Sequence, residues 1–265
     1  MSIGGMNQAK RVLPIYVMLL ALEGTARAQG TVNVTFEIPS SEPAIQVGGP
    51  VFLDLRLQNS SSDTVRVNMG PHAKWNYEFT LVGPDGAATE IPPYRQYGPG
   101  PKSTITLAPH ETQSRRLVFN EWYTFRNPGE YLLKVQLTVL LSSSANVSWQ
   151  KEFFDDLRVQ VSPHDPESLK EACAKLAATA LDPNAGEAAS TASFALSYVA
   201  DPVAVTSLAS ILKEGSPAAR EDAIRGLARV GTSEAGEVLK SNLATADSQL
   251  RTQIQSALSQ IRPGS

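Results

Sequence analysis

Two hydrophobic rhythms divide this chain, and one gives way to the other near Pro163. From Thr31 to Val161 apolar residues alternate with polar ones, most clearly in Val51, Leu53, Leu55, Leu57 and in Tyr131, Leu133, Val135, Leu137, Val139. A period of two sends one set of side chains to a buried face and the other to water, which marks half-buried strands. Beyond Ser162 to Pro166 the sequence turns to Ala, Leu, Ser and Glu with helical spacing, and it repeats. At an offset of thirty-one residues, without a gap, Cys173, Ala204 and Ala235 fall in register, as do Ala177, Leu208, Leu239; Leu181, Leu212, Leu243; Leu196, Leu227, Leu258; and Val199, Val230, Ile261. Chance rarely aligns five apolar columns, so the second half is an array of three like units.

Further alternating runs in the first half are Val32, Val34, Phe36, Ile38; Val65, Val67, Met69; Tyr77, Phe79, Leu81; Leu117, Phe119; and Leu157, Val159, Val161. Turn residues separate them at Gly48-Gly49-Pro50, Asn59 to Asp63, Gly83-Pro84-Asp85-Gly86 and Asn127-Pro128-Gly129, leaving no room for crossover helices. Roughly seven to nine short strands without βαβ spacing predict two antiparallel sheets packed face to face. In the second half each unit reads as helix, polar turn, helix, with turns at Asp182-Pro183-Asn184, Glu214 to Pro217 and Thr245 to Ser248. One such hairpin cannot bury its apolar face alone, and stacking three makes a continuous core.

The run Leu107-Ala108-Pro109-His110-Glu111, then Trp122, then Pro128-Gly129-Glu130-Tyr131 resembles the L-x-P-G-E … W … P-G-x-Y tail of immunoglobulin-like bacterial sandwiches, the intracellular proteinase inhibitor family among them. His110 stands where that pattern has Gly. The resemblance implies an immunoglobulin-like β-sandwich, in which Tyr131 buries its ring and bonds its hydroxyl back to the turn. Asp201-Pro202-Val203-Ala204 and Ala219-Arg220 to Ala223, with Leu227, resemble the HEAT-like repeats of bacterial proteins. Arg220 recurs as Arg251, while the first unit has Ala189 there and is degenerate. The predicted fold class is thus β then α: an immunoglobulin-like antiparallel β-sandwich followed by a short α-solenoid of three helical hairpins.

At the N-terminus Lys10 and Arg11 precede an apolar run from Val12 to Leu22, and Ala26-Arg27-Ala28 forms a small-x-small cleavage site. These are the three parts of a secretory signal, so cleavage is expected after Ala28 and the product is expected to be periplasmic or extracellular. The apolar run is about half of the ~20 residues that span a bilayer, and no later stretch suffices, so no membrane span is expected in the mature chain. The predicted organisation is a signal peptide over 1–28, the sandwich over 29–162, a linker and the start of the first repeat helix over 163–169, three repeats over 170–262, and a tail over 263–265.

A net charge of -3 with scattered Lys and Arg argues against a nucleic-acid footprint. Cys173 is the sole cysteine, so no intrachain disulfide can form, and its column position reads as a packed thiol. His72, His110 and His164 are isolated, and no nucleophile elbow, P-loop or dinucleotide fingerprint occurs. No catalytic residue, metal or cofactor is therefore assigned. Asp155-Asp156 reads as a charged strand edge or loop just before the last strand. Candidate contacts are aromatic-rich loops: Trp75, Tyr94 with Arg95 and Tyr97 in the Pro-rich run 92–101, and Tyr123. On the second helix of each unit, residues facing away from the core are Phe194 and Tyr198, then Arg225 and Arg229, then Ser256 and Gln260. The aromatic pair predicts a dock on the sandwich or a surface for ligands. The expected function is an exported, non-enzymatic binding or scaffold protein with a protein partner, a glycan being the second candidate. The alternatives are a proteinase inhibitor acting through a loop such as Pro92 to Lys102, and a cell-wall polymer hydrolase.

Overall fold

A computed structural model describes residues 32–39, 44–69, 76–92, 104–143 and 147–261. Its strands precede its helices, as the two rhythms require. Nine strands stand among the described residues: β1 (Val32–Glu37), β2 (Phe52–Asn59), β3 (Val65–Asn68), β4 (Tyr77–Val82), β5 (Ala88–Ile91), β6 (Thr104–Leu107), β7 (Thr112–Val118), β8 (Gly129–Ser143) and β9 (Ser148–Val161). They form two antiparallel sheets. The smaller runs β1-β2-β7, and the larger is built on the long β8, one edge of which pairs with β4 and β3 while the other pairs with β9 along Gly129–Ser142.

Alternation places the core between the sheets. Leu53, Leu55 and Leu57 from the smaller sheet and Tyr77, Phe79, Leu133, Val135 and Leu137 from the larger are buried in one cluster. A fully buried side chain of this size contributes about 1.5–3 kcal/mol, so the inward faces of these strands decide the pairing register. Trp122 closes one end of the core, its ring centre 5.2 Å from that of Phe79 and 5.9 Å from that of Tyr77. Tyr131 bonds its hydroxyl to the Asn127 carbonyl at 2.9 Å, across the turn before β8. At Gly129, φ is 144° and a Cβ would meet Pro84 Cγ at 2.4 Å, so only glycine fits this crossing of two turns.

Three strands were not legible as such. β5 and β6 are short and mostly exposed, so they lack an apolar face to read. β9 begins at Ser148 rather than near Leu157, and Asp155-Asp156 lie inside it. Its outer face is in water, which tolerates charge, and two side chains bridge the gap to β1: Asp155 Oδ2 accepts from Phe36 N at 2.9 Å, and Lys151 Nζ donates to Val32 O at 3.2 Å. Polar side chains here take over the bonding of a strand edge.

The six α-helices among the described residues form three hairpins: α1 (Pro166–Leu181) with α2 (Glu187–Leu196), α3 (Val205–Glu214) with α4 (Pro217–Val230), and α5 (Ser233–Asn242) with α6 (Ser248–Gln260). Their starts follow capping chemistry. Asp165, Ser216, Thr232 and Asp247 each accept a bond from a backbone N–H of the first turn, and Pro166 and Pro217 sit where a missing N–H costs nothing. The sequence columns become the core: Cys173, Ala204 and Ala235 are buried together, as are Ala177, Leu208 and Leu239. At Gly226 a Cβ would approach Leu208 Cδ2 to 2.7 Å and the Ser197 backbone to 3.1 Å, so a glycine lets α4 pack close against both neighbours.

The β-sheet domain and the hairpins are joined by more than the chain. Ser162 pairs in parallel with Gln46, and the buried Gln46 amide accepts from Asp165 N at 2.8 Å and donates to Ser168 Oγ at 3.3 Å. The first turn of α1 is thereby held by a side chain of the β-sheet domain.

Candidate functional site

Two open surfaces follow from this packing: a cleft between the β-sheet domain and the first hairpin, and a groove on the second helices of the later hairpins. The cleft exists because α2 touches the outer face of β2 and β7 over a small apolar contact only. Phe52 and Val118 from the strands and Ala195 from α2 are buried there, with Phe194, Tyr198 and Leu176 half-buried around them. On one side of this contact lies a cavity of about 810 Å³ bounded by Phe52, Asp54 and Arg116 of the strands and Glu171, Lys175 and Leu176 of α1. A second, of about 320 Å³, runs along β7 between Arg115, Trp122 and the α2 residues Glu187, Thr191 and Phe194. Arg115, Arg116, Glu187 and Thr191 line both.

The charges in the cleft are mostly paired. Arg116 Nε lies 2.8 Å from Asp54 Oδ1 and Arg116 Nη2 2.9 Å from Oδ2, a two-pronged pair, and the guanidinium carbon sits 5.4 Å from the centre of the Phe52 ring. Such forks fix geometry as well as charge. Lys175 pairs with Glu171 one turn away at 2.8 Å.

The four solenoid residues singled out in the sequence come together at the junction of the first two hairpins. Phe194 and Tyr198 meet edge to face with centres 5.1 Å apart, beside Phe52 and Val118. Arg229 lies over the Tyr198 ring at 4.3 Å and donates to the Ser197 carbonyl. Arg225 pairs with Asp222, whose other oxygen accepts from Ser193 Oγ at 2.7 Å. Burial pushes the Asp222 carboxyl above its ordinary range, while Ser193 and Arg225 pull it back. Sequence reasoning missed Asp222 and Ser193, because a lone polar residue in a helix reads as a solvated position; the Arg at i+3 from Asp222 was the available signal.

Among the loop candidates, Tyr123 is half-buried, its ring 5.4 Å from that of Phe125 and 6.5 Å from that of Phe119, at the rim of the core. Trp75, Tyr94, Arg95 and Tyr97 lie outside the described residues. Of the histidines, His164 sits 3.4 Å from Asp201, the residue that caps the turn before α3. Cys173 is fully buried, and its thiol is pushed up to about 12 by burial first and by the charge of Asp201 second, which keeps it protonated and unreactive. Among the described residues no group of three or more His, Cys, Asp and Glu could hold a metal ion, and no helix is long and apolar enough to cross a membrane.

The groove on the second helices has a volume of about 500 Å³ and lies between Glu221, Arg225 and Arg229 of α4 and Gln253, Ser256 and Gln260 of α6. Its floor is Ile224 and Ala257, so it offers charged and amide groups on a narrow apolar strip.

No curated protein matches the sequence. Among solved structures, the chain is similar to the ApaA protein from Bordetella pertussis at 13% identity, over 49% of this chain and 92% of that one, with a TM-score of 0.30. It is similar to an ASH/PapD-like domain of human CEP192 at 15% identity, over 61% of this chain and all of that one, with a TM-score of 0.32. A beta-glucosidase from Listeria innocua is matched at 10% identity over 51% of this chain but 16% of its own length, with a TM-score of 0.27. From the cap of α1 to the last turn of α6, residues 165–259 match the family model for HEAT repeats.

Proposed function

We propose that the chain is an exported, non-enzymatic binding or scaffold protein of a cell envelope, in which an immunoglobulin-like domain carries a three-hairpin HEAT-like array that engages a protein partner. The observation that carries this reading is the distribution of free surface on the array. The first hairpin is occupied by its contact with Phe52 and Val118, whereas the second helices of the other two leave an open groove lined by Arg225, Arg229, Gln253, Ser256 and Gln260. Stacked helical repeats serve as extended surfaces for proteins. Export is supported by Lys10 and Arg11, the apolar run and Ala26-Arg27-Ala28, which lie outside the described residues.

Two measurements test the reading. Expression in a bacterial host followed by fractionation and N-terminal sequencing should give a mature chain beginning at Gln29 in the exported fraction; retention in the cytoplasm with residues 1–28 intact rejects export. A pull-down from envelope extract should recover a partner with the wild-type chain and lose it with Ser256→Arg, which fills the groove at an exposed position. If no partner is recovered reproducibly, or if Ser256→Arg recovers it undiminished, the groove is not the binding surface.

A further inference from the structure

Two of the residues that line the smaller cleft beside β7 carry buried hydrogen-bond donors without an acceptor. Tyr77 is 1% exposed, and neither its hydroxyl nor the indole Nε1 of Trp122 has a hydrogen-bond partner among the described residues. Buried donors without acceptors are costly and rare in folded proteins, so two on one cleft mark a place that favours an acceptor. Arg115, which lines the same cleft from β7, is close enough to Tyr77 for its charge to favour the ionised phenol, against the stronger opposing effect of burial. While Arg116 is held by Asp54, Arg115 has no ion pair among the described residues.

The remaining charges restrict what can enter. Asp222 is engaged by Ser193 and Arg225 at the far side of the cleft. Glu121 and Glu187 line the rim and add negative charge. One guanidinium and two neutral donors against that rim suit a single negative charge and disfavour a dianion such as phosphate.

We propose that this cleft binds a monocarboxylate, its oxygens set between the Arg115 guanidinium and the hydrogens of Tyr77 Oη and Trp122 Nε1, with the half-buried Trp122 ring turning slightly to meet it. The carboxylate belongs either to a small free acid or to a Glu or Asp side chain of a peptide. Either would sit between β7 and α2 and tighten the seam between the two parts of the molecule. The site is separate from the second-helix groove, and the proposal stands or falls independently of a partner there.

The test uses the ¹⁵N-labelled full chain and the indole N–H resonance of Trp122, identified by its loss in Trp122→Phe. The chain is titrated with propionate, with the blocked peptide acetyl-Gly-Glu-Gly-amide, and with inorganic phosphate as the control. A saturable shift of that resonance at millimolar propionate or peptide is expected, weakened roughly ten-fold in Arg115→Met, with little response to phosphate. Tighter binding of propionate identifies a free acid, and tighter binding of the peptide identifies a protein segment. Tyr77→Phe supplies a second variant: removing the unpaired hydroxyl should leave the chain at least as stable while weakening binding. The proposal is overturned if neither probe moves the resonance saturably, if phosphate moves it as well as propionate does, or if both variants bind as the wild type does.

Discussion

The Arg229 guanidinium, carried by the second hairpin, lies 4.3 Å from the centre of the Tyr198 ring, at the end of the first. It also donates to the carbonyl of Ser197, the residue that ends α2, so a positive charge sits where the helix leaves its carbonyls unpaired. One side chain thus combines a cation–ring contact, a helix-end bond and the junction of two repeats. Arg229→Ala should lower stability by about 1–2 kcal/mol in urea unfolding, the sum expected for a partly exposed cation–ring contact and a charged hydrogen bond. Arg229→Lys should recover less than half of that, because an ammonium cannot lie flat on the ring and reach the carbonyl at once. Full recovery by lysine would mean that charge alone matters at this junction.

His110 is the only described non-glycine residue with a left-handed backbone, at φ 60°. The turn that imposes it is closed by Glu111, whose N–H donates to the Ala108 carbonyl at 3.1 Å and whose carboxylate accepts from Ala108 N at 2.7 Å. A left-handed residue with a Cβ costs about 1–2 kcal/mol, and glycine gives back part of the gain through its freer unfolded state. His110→Gly should therefore stabilise the chain by roughly 0.5–1 kcal/mol, read as a higher urea midpoint at unchanged slope. A lower midpoint would show that the imidazole makes a contact worth more than the strain.

What the sequence disclosed, and what it hid, follows from how many residues carry each signal. The hairpins were legible because Cys173, Ala204 and Ala235 and four further columns repeat one environment three times. The central strands were legible because β2, β4 and β8 bury one face each. β9 was half hidden, since Asp155 and Lys151 serve the edge of β1 from a strand whose other face is in water. The cleft was not legible at all. Arg115 and Trp122 approach Tyr77 from a different strand and turn, and no spacing along the chain records that meeting.

Asp222 gives the junction a dependence on pH. Because burial raises its carboxyl in the folded state, the folded chain holds this proton to a higher pH than the unfolded chain, whose aspartates titrate near 4. Above that value folding takes up a proton, so this group's contribution to stability grows as pH falls through the window and is smallest at neutral pH. Asp222→Asn keeps an acceptor for Ser193 and gives up the charge pairing with Arg225. It should flatten the stability profile as pH rises above about 4, and change stability at neutral pH by no more than ~1 kcal/mol in either direction. Urea midpoints across that range decide it: a variant whose profile keeps the wild-type slope removes Asp222 as the source.

Cys173 reports on the whole array. It is fully buried in the column it shares with Ala204 and Ala235, and its thiol is raised to about 12, so at about pH 8 roughly one thiol in ten thousand would be ionised even if a reagent could reach it. Reaction with iodoacetamide then requires that α1 separate from the second hairpin, and the labelling rate measures that opening. The folded chain should remain unlabelled over hours and react fully in concentrated urea. Arg229→Ala and other changes at the junction of the first two hairpins should speed labelling in proportion to the population of the open form, provided closing is faster than alkylation. Prompt labelling of the folded wild-type chain would mean that the first hairpin is not packed on the second, and with it would go both the continuous core of the repeats and the cleft that α2 forms against β7.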